Sequence, residues 1–288
     1  MKLANVDGRA VIVTASDRGF DVARTSGGRF GPDLASVYDD WERFRAWAEK
    51  SPTGREVSFT RAQLSSPSPT PRQIVAIGLN YSEHASESGF EAPDRLPPLF
   101  TKFVSAVTGP DTEVMIPSGG HVDWEVELVA VIGRTGFRIA ENEAWSFVAG
   151  LTIGQDLSER ITQLTGQAPQ FSLGKSFPGF APVGPWLVTP DSLPDRDDLR
   201  LGCAIDSRTV QDGRTRDMIF PVARIVSELS RTITLYPGDL IFTGTPSGVG
   251  VARNPQRFLE HGEELVSWIE GIGEMRQTFV ATEVCGSG

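Results

Sequence analysis

The sequence is poor in cysteine, and it has no long hydrophobic run. Its 288 residues include only 2 cysteines, Cys203 and Cys285, whose wide separation excludes a disulfide framework or a zinc ribbon. No apolar stretch approaches the ~20 residues that a membrane-spanning helix needs, and the N-terminal residues lack a signal-peptide core. We therefore expect a soluble, cytoplasmic protein with no membrane partner.

Positive charge is also scarce. The chain has 27 Lys and Arg residues against 37 Asp and Glu residues, which gives a formal net charge of −10. Nucleic acids and anionic membranes are bound mainly through clusters of basic side chains, so we expect neither as a partner. A small-molecule ligand is the better expectation. The 39% of hydrophobic residues, 30 glycines and 20 prolines are typical of a globular, turn-rich protein with more strand than helix.

The first 70 residues differ in patterning from the rest. They contain two strand-like segments, RAVIVTAS and RGFDVARTSG, and a helical pattern over residues 34–50. A segment rich in Pro and Ser follows at 65–73 and is typical of a linker. Residues 1–70 therefore predict a small α+β module with its linker.

Residues 71–288 form the predicted larger domain. Most of its segments have strand character, and the clearest helical pattern is PVARIVSELSRTI. The strict strand–helix alternation of a doubly wound sheet is missing. We therefore predict an α+β fold that is rich in strands, in the form of a roll or sandwich.

One apolar strand, DWEVELVAVIG, carries two carboxylates. Side chains alternate along a strand, so Glu125 and Glu127 share one face with two valines while the other face is wholly apolar. This pattern indicates burial on both sides, where an unpaired carboxylate is costly. Asp156 ends another apolar strand, and three oxygen ligands without a Cys or His cluster suit Mg²⁺ or Mn²⁺ better than zinc. Alternatively, the glutamates face solvent at a strand end or pair with arginine.

Two cations and an amide follow these acidic residues. If DLSERITQ is helical, Asp156, Arg160 and Gln163 lie on one face, and the last two can meet an anionic ligand beside the metal. Lys175 lies in the apolar segment FSLGKSF. The alternatives are an exposed pair between Asp156 and Arg160 and an ordinary surface lysine.

A histidine and a glycine-rich segment complete the candidate residues. His84 and Glu87 are three residues apart, so on a helical turn the carboxylate can orient an imidazole that takes a proton from water. The same spacing also occurs by chance. TGTPSGVG lacks the Lys-Ser/Thr ending of a phosphate-binding loop, so we expect no nucleotide site. It can present backbone N–H groups and Thr245 to a carboxylate, or it can be a simple tight turn.

Six segments, in this order, resemble those of the fumarylacetoacetate hydrolase family. They are GLNYSEHASE, TKF, VDWEVELVAVIG, GLTIGQDLSER, GKSF and PGDLIFTGTPSGVG. The resemblance spans roughly residues 70–280, and the residues before it resemble a small module that some members carry. It implies a mixed β-sandwich roll, a Mg²⁺ or Mn²⁺ ion, a homodimer, and substrates that are 2-oxo acids or their enols.

The resemblance also implies a role for each candidate residue. The implied metal ligands are Glu125, Glu127 and Asp156. The implied catalytic residues are His84, Glu87 and Lys175, with the first two on a mobile lid at about 82–95. The implied substrate-binding residues are Arg160, Gln163 and Thr245. The chain departs from many bacterial members in having Pro178 after GKSF, where they have an acidic residue, and this difference bears on substrate preference.

These implications predict hydrolysis of a carbon–carbon bond in a diketo acid of the acylpyruvate or fumarylpyruvate type. The cation would act as a Lewis acid for an enolate at C3, and hydroxide delivered to C4 would release pyruvate as its enolate. Decarboxylation of oxaloacetate and isomerisation of a 2-hydroxy-dienoate use the same enolate, and the sequence does not separate them from hydrolysis. A non-catalytic binder of 2-oxo acids is disfavoured because His84, Glu87 and Lys175 are all present.

Overall fold

The structure is a computed structural model, and it describes residues 1–50, 52–87, 95–96 and 98–281. The strands of the described chain are β1 (Lys2–Val6), β2 (Arg9–Ala15), β3 (Arg18–Asp21), β4 (Val57–Ser58), β5 (Leu64–Ser65), β6 (Ile74–Ile77), β7 (Leu99–Thr101), β8 (Val107–Thr108), β9 (Asp111–Ile116), β10 (Val122–Asp123), β11 (Val126–Ile132), β12 (Val148–Gln155), β13 (Ser158–Glu159), β14 (Ala181–Val188), β15 (Arg200–Ile205), β16 (Arg208–Arg214), β17 (Leu240–Phe242), β18 (Glu264–Ile269) and β19 (Gly273–Ala281).

The helices of the described chain are short. The α-helices are α1 (Val22–Thr25), α2 (Leu34–Asp39), α3 (Trp41–Ala48), α4 (Ser82–Glu87), α5 (Arg160–Gln163), α6 (Phe171–Gly174) and α7 (Val222–Ser230). The 3₁₀ helices are Arg61–Gln63, Val104–Ala106, Glu141–Phe147, Pro190–Ser192 and Thr215–Asp217. Among the residues described, no helix is both long and apolar enough to cross a membrane.

A large mixed sheet forms the frame of the molecule. It has 12 strands, ten of them in the order β4-β3-β2-β1-β14-β12-β11-β17-β6-β7, while β5 pairs with β1 and β8 pairs with β14. A second sheet of 5 strands has the order β16-β15-β18-β19-β9, and β10 pairs with β13. This arrangement of large sheets with few, short helices confirms the predicted α+β fold rich in strands.

The strand β11 is buried on both faces. All of its residues, Val126–Ile132, are buried. Leu128 packs in one hydrophobic cluster with residues of β15, β18 and α7, whereas Val129 packs in a second cluster with residues of α2 and α3. The predicted burial on both sides is therefore confirmed, and it places the Glu127 side chain in the protein interior.

Residues 1–65 extend the large sheet at β14. Strand β1 runs antiparallel to β14, with Lys2 opposite Val188 and Leu3 opposite Leu187. The predicted linker has no strand or helix over residues 66–73, but it is packed against the body of the protein: the Ser68 hydroxyl is buried and donates to the Gly238 carbonyl at 2.6 Å. The division into a module and a domain near residue 70 stays a prediction.

Two predicted elements of the N-terminal part differ from those observed. The segment RGFDVARTSG is a strand only as far as Asp21, whose carboxylate accepts the Arg24 N–H at 2.9 Å and begins α1. The helical pattern over 34–50 is divided into α2 and α3 at Asp40, which has φ −130° and ψ 40°. At Asp21, a hydrogen bond from the backbone to the side chain ends the strand and starts a helix. At Asp40, a backbone conformation outside the helical region separates the two helices.

Candidate active site

Three carboxylates meet where β11 and β12 pair. Glu127 lies in β11, Glu125 directly precedes that strand, and Asp156 directly follows β12. Antiparallel pairing sets Val126 opposite Gln155, and the Asp156 N–H donates to the Glu125 carbonyl at 2.9 Å. The side chains are buried, and one carboxylate oxygen from each residue lies within 4.8 Å of the other two. The three predicted ligands are thus brought together by one strand pair.

Two buried lysines contact this cluster. Lys175 Nζ donates to Glu125 Oε2 and to Asp156 Oδ2, both at 2.7 Å. Lys102 Nζ donates to Asp156 Oδ1 and to the Lys175 carbonyl, so it ties the two residues to each other. Burial alone would lower the pKa of Lys175, but Asp156 and Glu125 outweigh that effect and raise it, so Lys175 stays an ammonium ion. Its 2% exposure excludes a surface lysine.

Arg160 contacts the cluster from the other side. The predicted helix DLSERITQ is wrong in its first half, because Ser158–Glu159 is a strand and the Glu159 carboxylate caps a helix that begins at Arg160. Arg160 therefore does not pair with Asp156 at helical spacing. Its Nη2 donates to Glu125 Oε1 at 2.7 Å and to Asp123 Oδ2 at 2.6 Å, and its Nη1 donates to Gln163 Oε1 at 2.8 Å.

The electrostatics distinguish Glu127 from its neighbours. Burial would raise the pKa of Glu125, but Lys175 and Arg160 outweigh it and hold that pKa at about 2. Glu127 has the opposite balance, because burial and the charges of Asp156 and Glu125 raise its pKa well above the usual range. Its carboxylate accepts the Gly244 N–H at 2.7 Å. Among the described residues, no lysine or arginine forms an ion pair with it.

The cluster suits a divalent cation of the Mg²⁺ or Mn²⁺ class. All three groups offer carboxylate oxygens, which these hard ions prefer. A bound cation would also compensate the charge of Glu127, whose pKa is raised by burial and by the charges of Asp156 and Glu125. The donor set and the electrostatics therefore fit the ion that the sequence predicts.

His84 and Glu87 form a hydrogen-bonded pair on α4. His84 Nδ1 lies 2.8 Å from Glu87 Oε1, and His84 is 7% exposed. The Gly248 N–H donates to both Glu87 oxygens, at 3.1 and 3.0 Å. Since a carboxylate accepts, Nδ1 is the donor of this pair, and in the neutral imidazole Nε2 is then the acceptor. The predicted lid at 82–95 falls partly outside the described residues, because 88–94 are not among them.

The segment 243–250 borders the cavity at Thr245. Gly244 has φ +98°, and a Cβ there would lie 2.7 Å from the Asn80 Cβ, so only glycine suits this position. The Thr245 hydroxyl donates to the Val126 carbonyl at 2.9 Å and accepts from Gln211 Nε2 at 2.8 Å. Its hydrogen is therefore already used within the protein, although Thr245 lines the cavity.

All nine predicted site residues border one cavity or belong to the carboxylate cluster beside it. The cavity has a volume of about 550 Å³. Eight of these residues line it directly: His84, Glu87, Glu125, Glu127, Arg160, Gln163, Lys175 and Thr245. The ninth, Asp156, lies behind Lys175 and contacts it.

Sequence reasoning missed Asp123 and Lys102. Asp123 accepts hydrogen bonds from Arg160 and from the N–H groups of Gly250 and Val251, at 2.7 and 2.9 Å. It therefore links the residues just before β11 to the glycine-rich turn. Both residues lie in segments that carry the family resemblance, VDWEVELVAVIG and TKF. Burial of a charged side chain in such an apolar context was the available signal.

The site thus combines a buried carboxylate cluster that suits a divalent cation with an imidazole and a buried ammonium around one cavity, an arrangement that is typical of an enzyme. The family model described as "Fumarylacetoacetate (FAA) hydrolase C-terminal" matches residues 73–280. The chain belongs to the fumarylacetoacetate hydrolase family, and its activity is of the hydrolase, isomerase or tautomerase type.

Relatives of the chain have different reactions. It is 47% identical over 207 residues to 2,4-didehydro-3-deoxy-L-rhamnonate hydrolase of Sphingomonas sp. (strain SKA58), covering 71% of this chain and 72% of that one. It is 42% identical over 204 residues to the human mitochondrial oxaloacetate tautomerase FAHD2A, covering 70% of this chain and 65% of that one. The chain thus spans just under two thirds of the human protein. Tautomerisation was not among the reactions predicted from the sequence.

A solved structure adds a metal to this comparison. Maleylpyruvate hydrolase from Sphingobium sp. SYK-6, in complex with manganese(II) and pyruvate, has a TM-score of 0.80 and 29% identity, covering 98% of this chain and 100% of that one. Together with the buried acidic cluster of this chain, that complex indicates a divalent-metal site.

Proposed function

We propose that the protein is a Mg²⁺- or Mn²⁺-dependent hydrolase that cleaves the C3–C4 bond of a 2,4-dioxo acid, giving pyruvate and a carboxylic acid. One observation carries the proposal: the His84–Glu87 pair lies on the wall of the same cavity as the carboxylate cluster. Two compared proteins are named as hydrolases, and one of them holds manganese and pyruvate, which supports a pyruvate-releasing reaction.

The pyruvate half of the substrate would bind at the carboxylate cluster. The cation, held by Glu125, Glu127 and Asp156, would supply Lewis acidity toward the 2-oxo acid group. Arg160 has one N–H of Nη1 beyond those used by Asp123, Glu125 and Gln163, and it can donate this to the substrate carboxylate.

His84 would generate the nucleophile. Its Nε2 takes a proton from a water molecule while the Glu87 carboxylate stabilises the imidazolium that forms. The water oxygen then bonds to C4, and the C3–C4 bond breaks with its electron pair passing to the pyruvate half as an enolate. Protonation of the enolate at C3 gives pyruvate, and C4 leaves as the carboxylate of the acyl product.

Lys175 would stabilise the negative charge that develops on the leaving half. Two of its three N–H groups are used by Glu125 and Asp156, so one is left for the enolate oxygen. Because Lys175 is buried and held by these carboxylates, its ammonium group is in position before the charge forms.

Tautomerisation of a 2-oxo acid is the second candidate function. The 42% identity to the human oxaloacetate tautomerase favours it, and the reaction needs a proton acceptor near C3 but no attacking water. Decarboxylation of oxaloacetate and isomerisation of a 2-hydroxy-dienoate also need no delivered water. A homodimer and a cytoplasmic location stay predictions of the proposal.

The test uses the purified protein with Mn²⁺ or Mg²⁺ and a panel of acylpyruvates, oxaloacetate and hydroxydienoates. We expect pyruvate release from acylpyruvates, and His84→Ala should lower that rate by about 10²- to 10⁴-fold, the usual contribution of a positioned base, with metal affinity unchanged. His261→Ala, at an exposed histidine, is the control. Tautomerisation or decarboxylation without acylpyruvate cleavage, or an unimpaired His84→Ala variant, would contradict the proposed hydrolysis.

A further inference from the structure

The cavity is lined by both polar and apolar residues. Its polar lining includes Glu125, Glu127, Arg160 and Lys175. Its apolar lining includes Leu79, Phe100, Leu164, Phe171 and Val251. Lys175 Nζ lies 5.0 Å from the centre of the Phe100 ring, and the Phe100 and Phe171 rings meet edge to face at 5.7 Å. The apolar lining therefore begins directly beside the Lys175 ammonium group.

Among the described residues, the apolar lining contains no cation that could pair with a second carboxylate. Arg160 and Lys175 are the only Lys or Arg residues among those described as lining the cavity, and both already bind carboxylates of the protein. In the proposed function, their remaining N–H groups bind the 2-oxo acid end of the substrate. Arg95 is exposed and does not line the cavity.

Leu79 is held at the cavity wall in an unfavourable conformation. Its φ of +55° lies in the left-handed region, which is unfavourable for residues other than glycine. The next residue, Asn80, fixes it there: its amide donates to the Phe220 and Thr243 carbonyls at 3.0 and 2.7 Å, and its oxygen accepts the Phe220 N–H at 2.8 Å. The fold thus keeps a strained apolar residue beside the ligand space.

We infer that the site selects 2,4-dioxo acids whose acyl group beyond C4 is uncharged and apolar, and that it discriminates against those that end in a second carboxylate. The inference rests on the proposed function and narrows its substrate class. An alkyl or aryl group gains contact with Phe100 and Phe171, whereas a terminal carboxylate beside these rings would lose part of its hydration without gaining a cation of its own.

The first test compares two substrates of equal chain length, 2,4-dioxoheptanoate and 2,4-dioxoheptanedioate. They differ only in a terminal methyl or carboxylate group, and we expect kcat/KM to favour the monoacid by about tenfold or more. Calorimetry with 2-oxohexanoate and 2-oxoadipate, in the presence of Mn²⁺, measures the same preference without catalysis. Equal or better turnover and binding of the diacids would overturn the inference while leaving the hydrolase proposal intact. Failure to cleave either dioxo acid, with 2-oxohexanoate still bound more tightly, would overturn only the hydrolase proposal.

The second test adds a cation to the apolar lining of the cavity. Leu164 lines the cavity and is 55% exposed, so Leu164→Lys should fold normally and raise the relative kcat/KM for the diacid by about tenfold. Leu173→Lys is the matched control, because Leu173 is 66% exposed but does not line the cavity. An unchanged preference for the monoacid in Leu164→Lys, or the same change in both variants, would show that the cavity wall does not determine which acyl group is accepted.

Discussion

Replacing Asp123 by asparagine tests the hydrogen-bond network that holds Arg160 in place. Asp123 does not line the cavity, but its carboxylate accepts five hydrogen bonds from buried groups. Oδ2 accepts from Arg160 Nε, Arg160 Nη2 and the Val251 N–H at 2.9, 2.6 and 2.9 Å. Oδ1 accepts from the N–H groups of Trp124 and Gly250 at 2.8 and 2.7 Å.

An asparagine amide cannot reproduce this pattern in either orientation. Its NH₂ group would face the Arg160 donors and the Val251 N–H in one orientation, and the N–H groups of Trp124 and Gly250 in the other. The substitution also removes one of the two carboxylates that neutralise Arg160. Removing one partner of a buried ion pair costs about 3–5 kcal/mol, so we expect Asp123→Asn to lower the free energy of unfolding by that amount.

The assay is chemical denaturation of the metal-free protein, with Asp212→Asn as the control. Asp212 also accepts two hydrogen bonds from one arginine, Arg200, but their side chains are 44% and 59% exposed. An exposed pair contributes about 0.2–1 kcal/mol, so the control should be nearly as stable as the parent. If Asp123→Asn also costs less than about 1 kcal/mol, the network does not hold Arg160 as described.

Three further predictions concern the carboxylate cluster and the glycine-rich turn that contacts it. Glu127→Gln should abolish activity and the rise in melting temperature caused by added Mn²⁺, because a bound ligand stabilises by mass action; an unchanged rise would refute its role as a ligand. Lys175→Met should lower kcat by about 10²- to 10³-fold and change KM less, in assays at saturating Mn²⁺; a normal kcat would show that its charge is not used. Gly244→Ala should destabilise the protein, as measured by denaturation, by more than Gly262→Ala, because both have positive φ (+98° and +87°) but only the Gly244 position has no room for a Cβ. Equal losses would mean that only backbone strain matters.

The sequence predicted the burial of β11 and its carboxylates because the alternation of side chains along a strand is a local property of the sequence. The two-sided burial of Val126–Ile132 follows from the side-chain period of a strand, and Asp156 meets Glu125 and Glu127 because two consecutive strands pair. Arg160 was placed wrongly by helical spacing, since the Glu159 carboxylate accepts the Ile161 and Thr162 N–H groups and delays the helix.

The contributions of Asp123 and Lys102 could not be predicted in the same way. Lys102 meets Asp156 across 54 positions of the chain, and Asp123 meets Gly250 across 127. No local period encodes such contacts, because they depend on how β7, β12 and the glycine-rich turn come together in the tertiary structure. What the sequence did contain was a charged residue in an apolar segment, which predicts burial with a partner but not the identity of that partner.

The pairing of β1 with β14 has a consequence for shortened forms of the chain. The family match begins at residue 73, but β14 lies between β12 and β1 in the sheet. A polypeptide starting there would lack β1, so the backbone N–H and C=O groups around Leu187 and Val188 would form an open edge beside buried apolar side chains. Such edges recruit strands from other molecules. With β1 present, this edge of the sheet is covered.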